Sequence, residues 1–482
     1  MLLLVLVVQS ALSARLLRAN GAFVDEALYL YAGHDEIAHI LHGAVISPYE
    51  AYFSGAPTIY PVLGAMADAV GGLTGARLLG LAFMLAATVL LYDATSALFD
   101  RVAGIVATAL FVVACPTMFL SAFATFDPMA LALLACAGWC AIRGAGRVPW
   151  LLAAGLLLAL ADATKYASTL WNPVVLGLAV LLAVKTYRWK GALLRGGLLL
   201  LELGLLIGGA LALAGPQYRT GIGTTTLKRP VGAVSRTLIL DKSWQWVGLI
   251  AVLALAGLVL LLVERTAHRR LVGVLLFLAV LLAPANQARI QVLTSLHKHV
   301  DFGAWFAAML AGCLLARLLA TGRGRFPVGQ SAVVALAVGV GLYLGLGQLT
   351  LVYQRGWPNG VAMSTAMRGY LSPNTKILAE NDSVPRYYLR DATTWQQWVG
   401  TWAFTYRDPA THRTYTGAEA YEEAIKAHYF SVIELDHVTT AAMDRQIMAA
   451  IAANPGYRLV ASVPGAHQRV PYSIWAYRPT SG

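Results

Sequence analysis

The stretch "SAVVALAVGVGLYLGLGQLTLV" (331–352) contains no charged residue, and stretches of this kind decide the fold class. An α-helix needs about 20 apolar residues to cross the hydrocarbon core of a bilayer. This run is long enough, and ten other apolar segments recur along the chain. Together they predict about eleven transmembrane helices: 1–14, 76–97, 102–120, 128–142, 148–163, 170–185, 192–215, 245–263, 271–285, 302–319 and 331–352.

The overall composition supports this interpretation. Apolar residues make up 58% of the chain and charged residues only 12%, with a mean hydropathy of +0.64. Both fractions lie far outside the soluble globular range. The four cysteines all fall inside apolar segments, so we expect no disulfide framework. Segment 1–14 has no basic residues before its apolar run, so an uncleaved first helix is expected.

The net charge of +12 first suggests a nucleic-acid partner. However, the basic residues are dispersed at helix ends and are not gathered with aromatic residues on one soluble module, so no nucleic-acid partner is predicted. Membrane topology explains them better. Short loops on one side carry residues such as Arg101, Arg143, Lys185 and Arg270, and the positive-inside rule assigns that side to the cytoplasm. The first loop and the C-terminal region are then expected on the extracytoplasmic side.

The composition changes beyond residue 355, where polar residues rise and apolar runs shorten to strand length. The chain is therefore predicted to combine an all-α polytopic membrane domain (1–354) with a small extracytoplasmic α/β domain (355–482). Alternating patterns predict the strands and helical spacing predicts the helices. The predicted strands are 376–381, 429–435, 457–463 and 472–478, and the predicted helices are 417–429 and 441–456.

Acidic residues near the membrane's outer edge are the first candidates for a functional site. Asp25 and Glu26 follow the first helix, and Asp127 begins another in "FATFDPMALALL" (123–134). An ionisable group at such a position is costly unless it has a partner or a function. For Asp127, capping of its helix is as good an interpretation as catalysis. The acidic first loop on the same face favours a site.

Four motifs, in order, resemble GT-C glycosyltransferases. They are "DEALYLYAG" (25–33), "SGAPTIYPVLGAMADAVGGLTGARLLGL" (54–81), "FATFDPMAL" (123–131) and "LADATKYA" (160–167). The nearest pattern is the branch with protein O-mannosyltransferases and the aminoarabinose transferases that modify lipid A. "SLHKHVDFGAWFAA" (295–308) resembles the later outer-face loop of members that use a phospholipid carrier. This chain has Leu28 and Ala56 where aminoarabinose transferases tend to carry a basic residue, which leaves sugar and acceptor open.

The resemblance implies a multi-pass cell-membrane enzyme with its active site on the extracytoplasmic side. It would transfer a sugar from a polyprenyl-phosphate donor to a cell-envelope glycan, lipid or protein acceptor. A single direct displacement would invert the anomeric configuration. No organic cofactor is implied, and a divalent ion such as Mg²⁺ or Mn²⁺ is left open.

The resemblance also implies roles for individual residues. Asp25 would take the proton of the acceptor hydroxyl, Glu26 would orient the loop, and Asp127 would be a second acid at the same cavity. Cations would stabilise the departing phosphate, and aromatic residues would shape the cavity. The donor-phosphate candidates are Lys165, His297, Lys298, His299, Arg77 and Arg289, and the cavity candidates are Tyr29 and Tyr60.

Simpler interpretations stand beside these roles. Lys165 could reach water from a helix end or pair with Asp162. The histidines at 297 and 299 lack the acid–histidine set of a metal site, so an interfacial charge cluster is their main alternative. Arg77 could equally be an interfacial anchor.

Two other protein classes compete with the enzyme. A transporter or flippase of lipid-linked sugar would also need many helices and a few intramembrane acids, but transporters often show repeated halves. The sequence shows no such repeat. A non-catalytic scaffold would keep its function without Asp25 and Asp127.

Overall fold

The computed structural model describes residues 1–145, 147–264, 266–321, 327–355, 357, 359–465 and 470–478. Helices occupy most of the chain up to residue 355. In chain order they are α1 (Leu2–Ala14), α2 (Val24–His42), α3 (Tyr60–Leu98), α4 (Arg101–Val112), α5 (Cys115–Leu120), α6 (Phe126–Arg143), α7 (Val148–Thr164), α8 (Asn172–Leu213), α9 (Pro216–Ile222), α10 (Arg236–Leu262), α11 (Ala267–Ile290), α12 (Leu296–Thr321) and α13 (Pro327–Arg355).

Each of the eleven predicted apolar segments overlaps helix, but segment 102–120, predicted as one helix, is divided between α4 and α5. Seven helical stretches of the described chain are long and apolar enough to cross a membrane, and three shorter apolar helices accompany them. Most of segment 170–185 and of segment 192–215 lies in α8, which is interrupted at Arg188, where φ is 54°. A non-glycine residue with positive φ cannot continue a right-handed helix. The interruption therefore separates α8 into two apolar halves.

Helix α12 is the centre of the membrane part and packs against α4, α10 and α11. Its aromatic side chains Phe302 and Trp305 are fully buried. At Gly312 an added Cβ would lie 2.4 Å from the carbonyl oxygen of Ala103. Small residues of this kind let helices approach closely in a bilayer, where dispersion contacts hold helices together. The close packing fixes the register of α12, which carries three of the candidate site residues.

The chain divides into two compact units: Met1–Arg18 with Pro48–Thr350, and Ala19–Ser47 with Leu351–Gly482. We call them the helical unit and the C-terminal unit. Helix α2 belongs to the C-terminal unit, and Asp25 and Glu26 form its first turn. The sequence placed these two acids in a loop. The backbone N–H of Phe23 donates to Glu26 Oε2 at 3.0 Å, and acidic side chains at a helix N-terminus are favoured by its exposed N–H groups and dipole.

The C-terminal unit has the predicted α/β character. Its helices are α14 (Val361–Arg368), α15 (Ser383–Tyr388), α16 (Gly417–Lys426) and α17 (Ala441–Ala452). Its strands are β1 (Ile377–Ala379), β2 (Trp398–Gly400), β3 (Thr405–Arg407), β4 (Thr414–Thr416), β5 (Val432–Leu435), β6 (Tyr457–Val463) and β7 (Tyr472–Tyr477). The four predicted strands and two predicted helices are confirmed. The strands β2, β3 and β4 were not predicted.

Five strands form one sheet in the order β2-β1-β5-β7-β6, and β3 pairs with β4 separately. β1 is parallel to β2 and β5, whereas β7 is antiparallel to β5 and β6. Ile433 and Leu435 of β5 pack into one apolar core, and Val432 packs into another. Side chains alternate between the two faces of a strand. Glu434 therefore shares the face of Val432.

Candidate active site

Asp127 lies at the start of α6 and is completely buried. The helix begins after Thr125, whose extended backbone occupies the N-cap position. Thr125 Oγ1 donates to Asp127 Oδ2 at 3.1 Å. Asp127 is therefore a first-turn residue and not the cap itself. Its other oxygen, Oδ1, makes no hydrogen bond to the described residues.

Three basic side chains surround this carboxylate. Lys298 Nζ lies 3.4 Å from Oδ2, and Lys165 Nζ lies 4.0 Å from Oδ1. His299 Nε2 lies 3.8 Å from Oδ1. Buried charges require a partner because removal from water is expensive. Here one carboxylate lies close to two ammonium groups and one imidazole ring.

Lys165 is held in place by a loop distant in sequence. It has extended backbone between α7 and the 3₁₀ turn Tyr166–Trp171. Two backbone hydrogen bonds, Ala56 N to Ala163 O and Tyr166 N to Ser54 O, join this bend to residues 54–56. Lys165 Nζ then donates to Ser54 Oγ at 2.9 Å. Lys165 is 2% exposed, so it is not an interfacial lysine that reaches water. Asp162 accepts hydrogen bonds from Ser168 Oγ and Asn172 Nδ2.

Gly55 makes this loop contact possible. An added Cβ would lie 2.0 Å from the carbonyl oxygen of Thr164, which is rigid backbone. We expect Gly55→Ala to reduce stability by about 1–3 kcal/mol, the usual cost of overpacking. Thermal unfolding in detergent measures the loss. Gly71→Ala is the matched control, because its added Cβ meets nothing within 4 Å, and equal unfolding temperatures for the two variants would contradict the contact.

His299 faces a cavity of about 240 Å³ within the helical unit. Gln287 Nε2 donates to His299 Nδ1 at 3.3 Å. Among the described residues, His299 Nε2 and Gln287 Oε1 are buried without a hydrogen-bond partner. Buried polar atoms are nearly always paired in folded proteins. These two atoms are therefore available to hydrogen-bond water or a bound group in the cavity.

The described lining of the cavity is basic and contains no acidic residue. Lys165 and His299 form part of its wall together with Arg229 and Arg289, and no Asp or Glu is among its described lining residues. Arg289 Nη2 donates to Asn286 Oδ1 at 2.9 Å. Arg229 makes no hydrogen bond or ion pair within the described chain. Guanidinium and ammonium groups in this arrangement match a phosphate or a similar anion.

The remaining predicted residues of the helical unit are not among the described lining residues of this cavity. His297 packs its ring against Phe119 and Trp246, with centroids 4.9 and 5.8 Å apart. Arg77 is fully buried, and its Nη1 donates to Leu17 O at 2.9 Å. Tyr60 is buried beside Phe126, at 5.9 Å between rings. Asp25, Glu26 and Tyr29 belong to α2 in the C-terminal unit.

Four residues at or near the site were missed in the sequence. Ser54 and Gln287 are uncharged and so gave no signal, although Ser54 lies in a quoted motif. Arg229 was not selected, because a single charge in a loop gives no functional signal. Asp301 follows the basic cluster on α12 and accepts a hydrogen bond from Thr117 Oγ1 at 2.7 Å. An intramembrane acid is a functional candidate by default, so Asp301 could have been selected.

Comparison by sequence finds no matching family model and no matching curated protein. Comparison by structure does find similar proteins. ArnT from Cupriavidus metallidurans, in a crystal structure bound to undecaprenyl phosphate, superposes with a TM-score of 0.65 at 15% identity, covering 99% of this chain and 98% of ArnT. This chain has the GT-C fold. The predicted resemblance is thereby confirmed at the level of fold, and the chain is a multi-pass membrane protein.

Two more distant solved structures share the GT-C fold. One is the oligosaccharyltransferase AglB from Archaeoglobus fulgidus, in complex with an inhibitory peptide and a dolichol-phosphate. Its TM-score is 0.60 at 13% identity, and the superposition covers 97% of this chain and 74% of the AglB chain. The other is the arabinofuranosyltransferase AftD from Mycobacteria, with a TM-score of 0.58 at 15% identity. The superposition covers 98% of this chain and 41% of the AftD chain.

A metal ion does not fit this site. One Archaeoglobus fulgidus structure with the GT-C fold is a complex with Zn and sulfate. In the described part of this chain, no three His, Cys, Asp or Glu side chains are grouped to hold a metal. Asp127 lies beside the lining residues Lys165 and His299, and the adjacent lysine ammonium groups would repel a divalent cation. No step of the chemistry below is assigned to a metal.

Proposed function

We propose that this GT-C protein is a glycosyltransferase that takes a sugar from a polyprenyl-phosphate donor and transfers it to an extracytoplasmic acceptor of the cell envelope. The observation that carries the proposal is the acid-free cavity with Lys165, His299, Arg229 and Arg289 in its wall. Lys165 is buried within the helical unit, and a buried ammonium group is costly unless it has a partner or a function. The phosphate of a lipid-linked donor would supply the matching negative charge.

The reaction requires a cation at the leaving group. The acceptor oxygen forms a bond to the anomeric carbon while the bond from that carbon to the phosphate oxygen breaks, and both bonding electrons leave with the phosphate. Negative charge therefore grows on the lipid phosphate. Preorganised cations lower the energy of such a transition state more than that of the bound donor. We assign this role to Lys165, with Arg229 and Arg289 binding the phosphate.

The other residues support this step. Asp127 is proposed as a positioning residue, because its contacts are to Lys165, Lys298 and His299 and to Thr125. It orients the ammonium groups and prevents their mutual repulsion from opening the cluster. Asp25 is proposed as the base that takes the acceptor's proton, on the strength of the "DEALYLYAG" resemblance. An attack opposite the phosphate inverts the anomeric configuration.

The test is incubation of the purified protein with a panel of radiolabelled polyprenyl-phosphate sugars. We expect one donor to release its lipid phosphate, faster when an acceptor extract is added. A transporter or flippase would instead move an intact donor across sealed vesicles without breaking the glycosidic bond. Absence of cleavage with every donor, together with vesicle transport, would replace the proposal with that alternative.

A further inference from the structure

The C-terminal unit contains a second cavity, of about 200 Å³, at one end of its sheet. The strands β2, β1 and β5 run parallel, so the segments that follow them emerge at the same edge. Asn381 follows β1 and Asp436 follows β5, and both line this cavity. Open α/β sheets bind ligands in the crevice outside the carboxyl ends of their parallel strands. The cavity therefore lies where this architecture places a binding site.

Glu434 is the unexplained group in this cavity. It belongs to β5 and lines the cavity, and its side chain is 1% exposed. Neither of its carboxyl oxygens makes a hydrogen bond with the described residues. Asp436 differs, because its Oδ1 accepts hydrogen bonds from the N–H groups of Val438 and Thr439 and so stabilises the turn after β5. Glu434 has no such structural task.

The surroundings of Glu434 are acidic. Burial, and then the carboxylates of Asp436 and Glu380, raise the pKa of Glu434 well above its ordinary value of 4.5. Asp444 adds to this effect. No Lys, Arg or His is among the described lining residues of the cavity. An anion would be repelled here, whereas a cation would relieve the repulsion among the carboxylates.

The walls indicate which kind of cation would fit. Phe23, Trp357 and Tyr472 contribute aromatic rings, and the rings of Phe23 and Trp357 meet edge to face at 5.3 Å. Divalent ions need six or more oxygen ligands or close sets of ligating side chains. The described residues offer no such group. Organic ammonium groups, in contrast, bind well against aromatic faces with a carboxylate as counter-ion.

We propose that this cavity binds a primary ammonium group, with Glu434 as its counter-ion and the rings of Phe23, Trp357 and Tyr472 as its walls. The ammonium could be carried by an aminosugar or by an ethanolamine headgroup, since both present the same chemistry. Binding would release the proton of Glu434 and pair the carboxylate with the ligand. The proposal concerns the C-terminal unit alone and is independent of sugar transfer.

Proton release gives the proposal a second signature. Affinity should rise with pH while the ligand remains protonated, because less free energy is then needed to ionise Glu434. The titratable groups around it are Glu380, Asp436 and Asp444, together with His437, whose Nε2 hydrogen-bonds Ser473 Oγ. Glu380 accepts backbone N–H groups of the same turn.

The experiment is saturation-transfer NMR on the full-length protein in lipid nanodiscs. The probes are ethanolamine, glucosamine and glucose, the last being the neutral counterpart of glucosamine. We expect signals from ethanolamine, glucosamine or both, and none from glucose. A signal from only one ammonium probe identifies the kind of carrier. Glu434→Gln keeps the side-chain shape and should weaken binding about 10- to 100-fold, as expected for loss of a charged hydrogen bond.

Glu422→Gln is the matched control, since Glu422 is exposed on α16 in the same unit, and it should bind as the unaltered protein does. Thermal unfolding of both variants shows that the fold is retained. Equal binding of glucose would overturn the proposal in favour of a neutral sugar site. Unchanged binding in Glu434→Gln, or no binding of either ammonium probe, would also overturn it.

Discussion

Replacing Lys165 with methionine is expected to lower the rate of donor cleavage about 10²- to 10³-fold, the usual cost of removing one group that stabilises transition-state charge. Methionine has a similar length and keeps the buried packing, but it has no charge. Because the charge on the phosphate increases as the bond breaks, kcat should fall more than the apparent donor affinity. The measurement is release of labelled lipid phosphate at saturating donor concentration.

Lys190→Met is the matched control for this variant, since Lys190 is an exposed lysine of the same unit. It should cleave the donor at the unaltered rate. Methionine at 165 also leaves Asp127 with Lys298 and His299 as its basic neighbours, so the fold should be retained and thermal unfolding should show this. If turnover of the Lys165→Met variant stayed within twofold of the unaltered protein, Lys165 would have a structural role and no role in the reaction.

Replacing Asp25 with asparagine is expected to lower turnover about 10²- to 10⁴-fold, the range that general-base catalysis contributes. Asparagine preserves the shape of the side chain but cannot accept the acceptor's proton. Donor binding should not change, because Asp25 is assigned to the acceptor and not to the phosphate. Binding of the labelled donor and single-turnover transfer, measured on the same sample, separate the two effects.

The separation of donor binding from sugar transfer gives this variant a specific readout. Asp35→Asn, a change later in the same helix α2, is the control and should bind the donor and transfer sugar as the unaltered protein does. If Asp25→Asn and Asp35→Asn transferred sugar equally well, the assignment of Asp25 as the base would be wrong. The proposed phosphate site would not be affected by that result.

The membrane helices could be predicted because their cause is local. A run such as 331–352 must bury its backbone polar groups in its own hydrogen bonds wherever it lies in the bilayer. The same holds for the longer strands of the C-terminal unit, whose apolar runs are visible in the sequence. The first turn of helix α2 was not predicted, because its acids resemble a loop when the capping contact is not known.

The basic residues around Asp127 could be selected from the sequence, but their arrangement could not be predicted. Lys165, Lys298 and His299 were selected by resemblance, yet their proximity to Asp127 depends on how α6, α7 and α12 pack. Helix packing is set by side-chain contacts distributed over whole faces, which one sequence does not reveal. Ser54 and Gln287 were missed because neither is charged. Each contacts the site through a residue distant in sequence, Lys165 for Ser54 and His299 for Gln287.

The contact between Gly55 and the end of α7 has a consequence for recognising relatives of this chain. Gly55 helps to place Lys165, so the two residues are expected to occur together in related sequences although they are far apart in the chain. Relatives that have lost one should have little reason to retain the other. Joint occurrence of this glycine and this lysine is therefore a sharper mark of shared ancestry and chemistry than the acidic pair near the first helix.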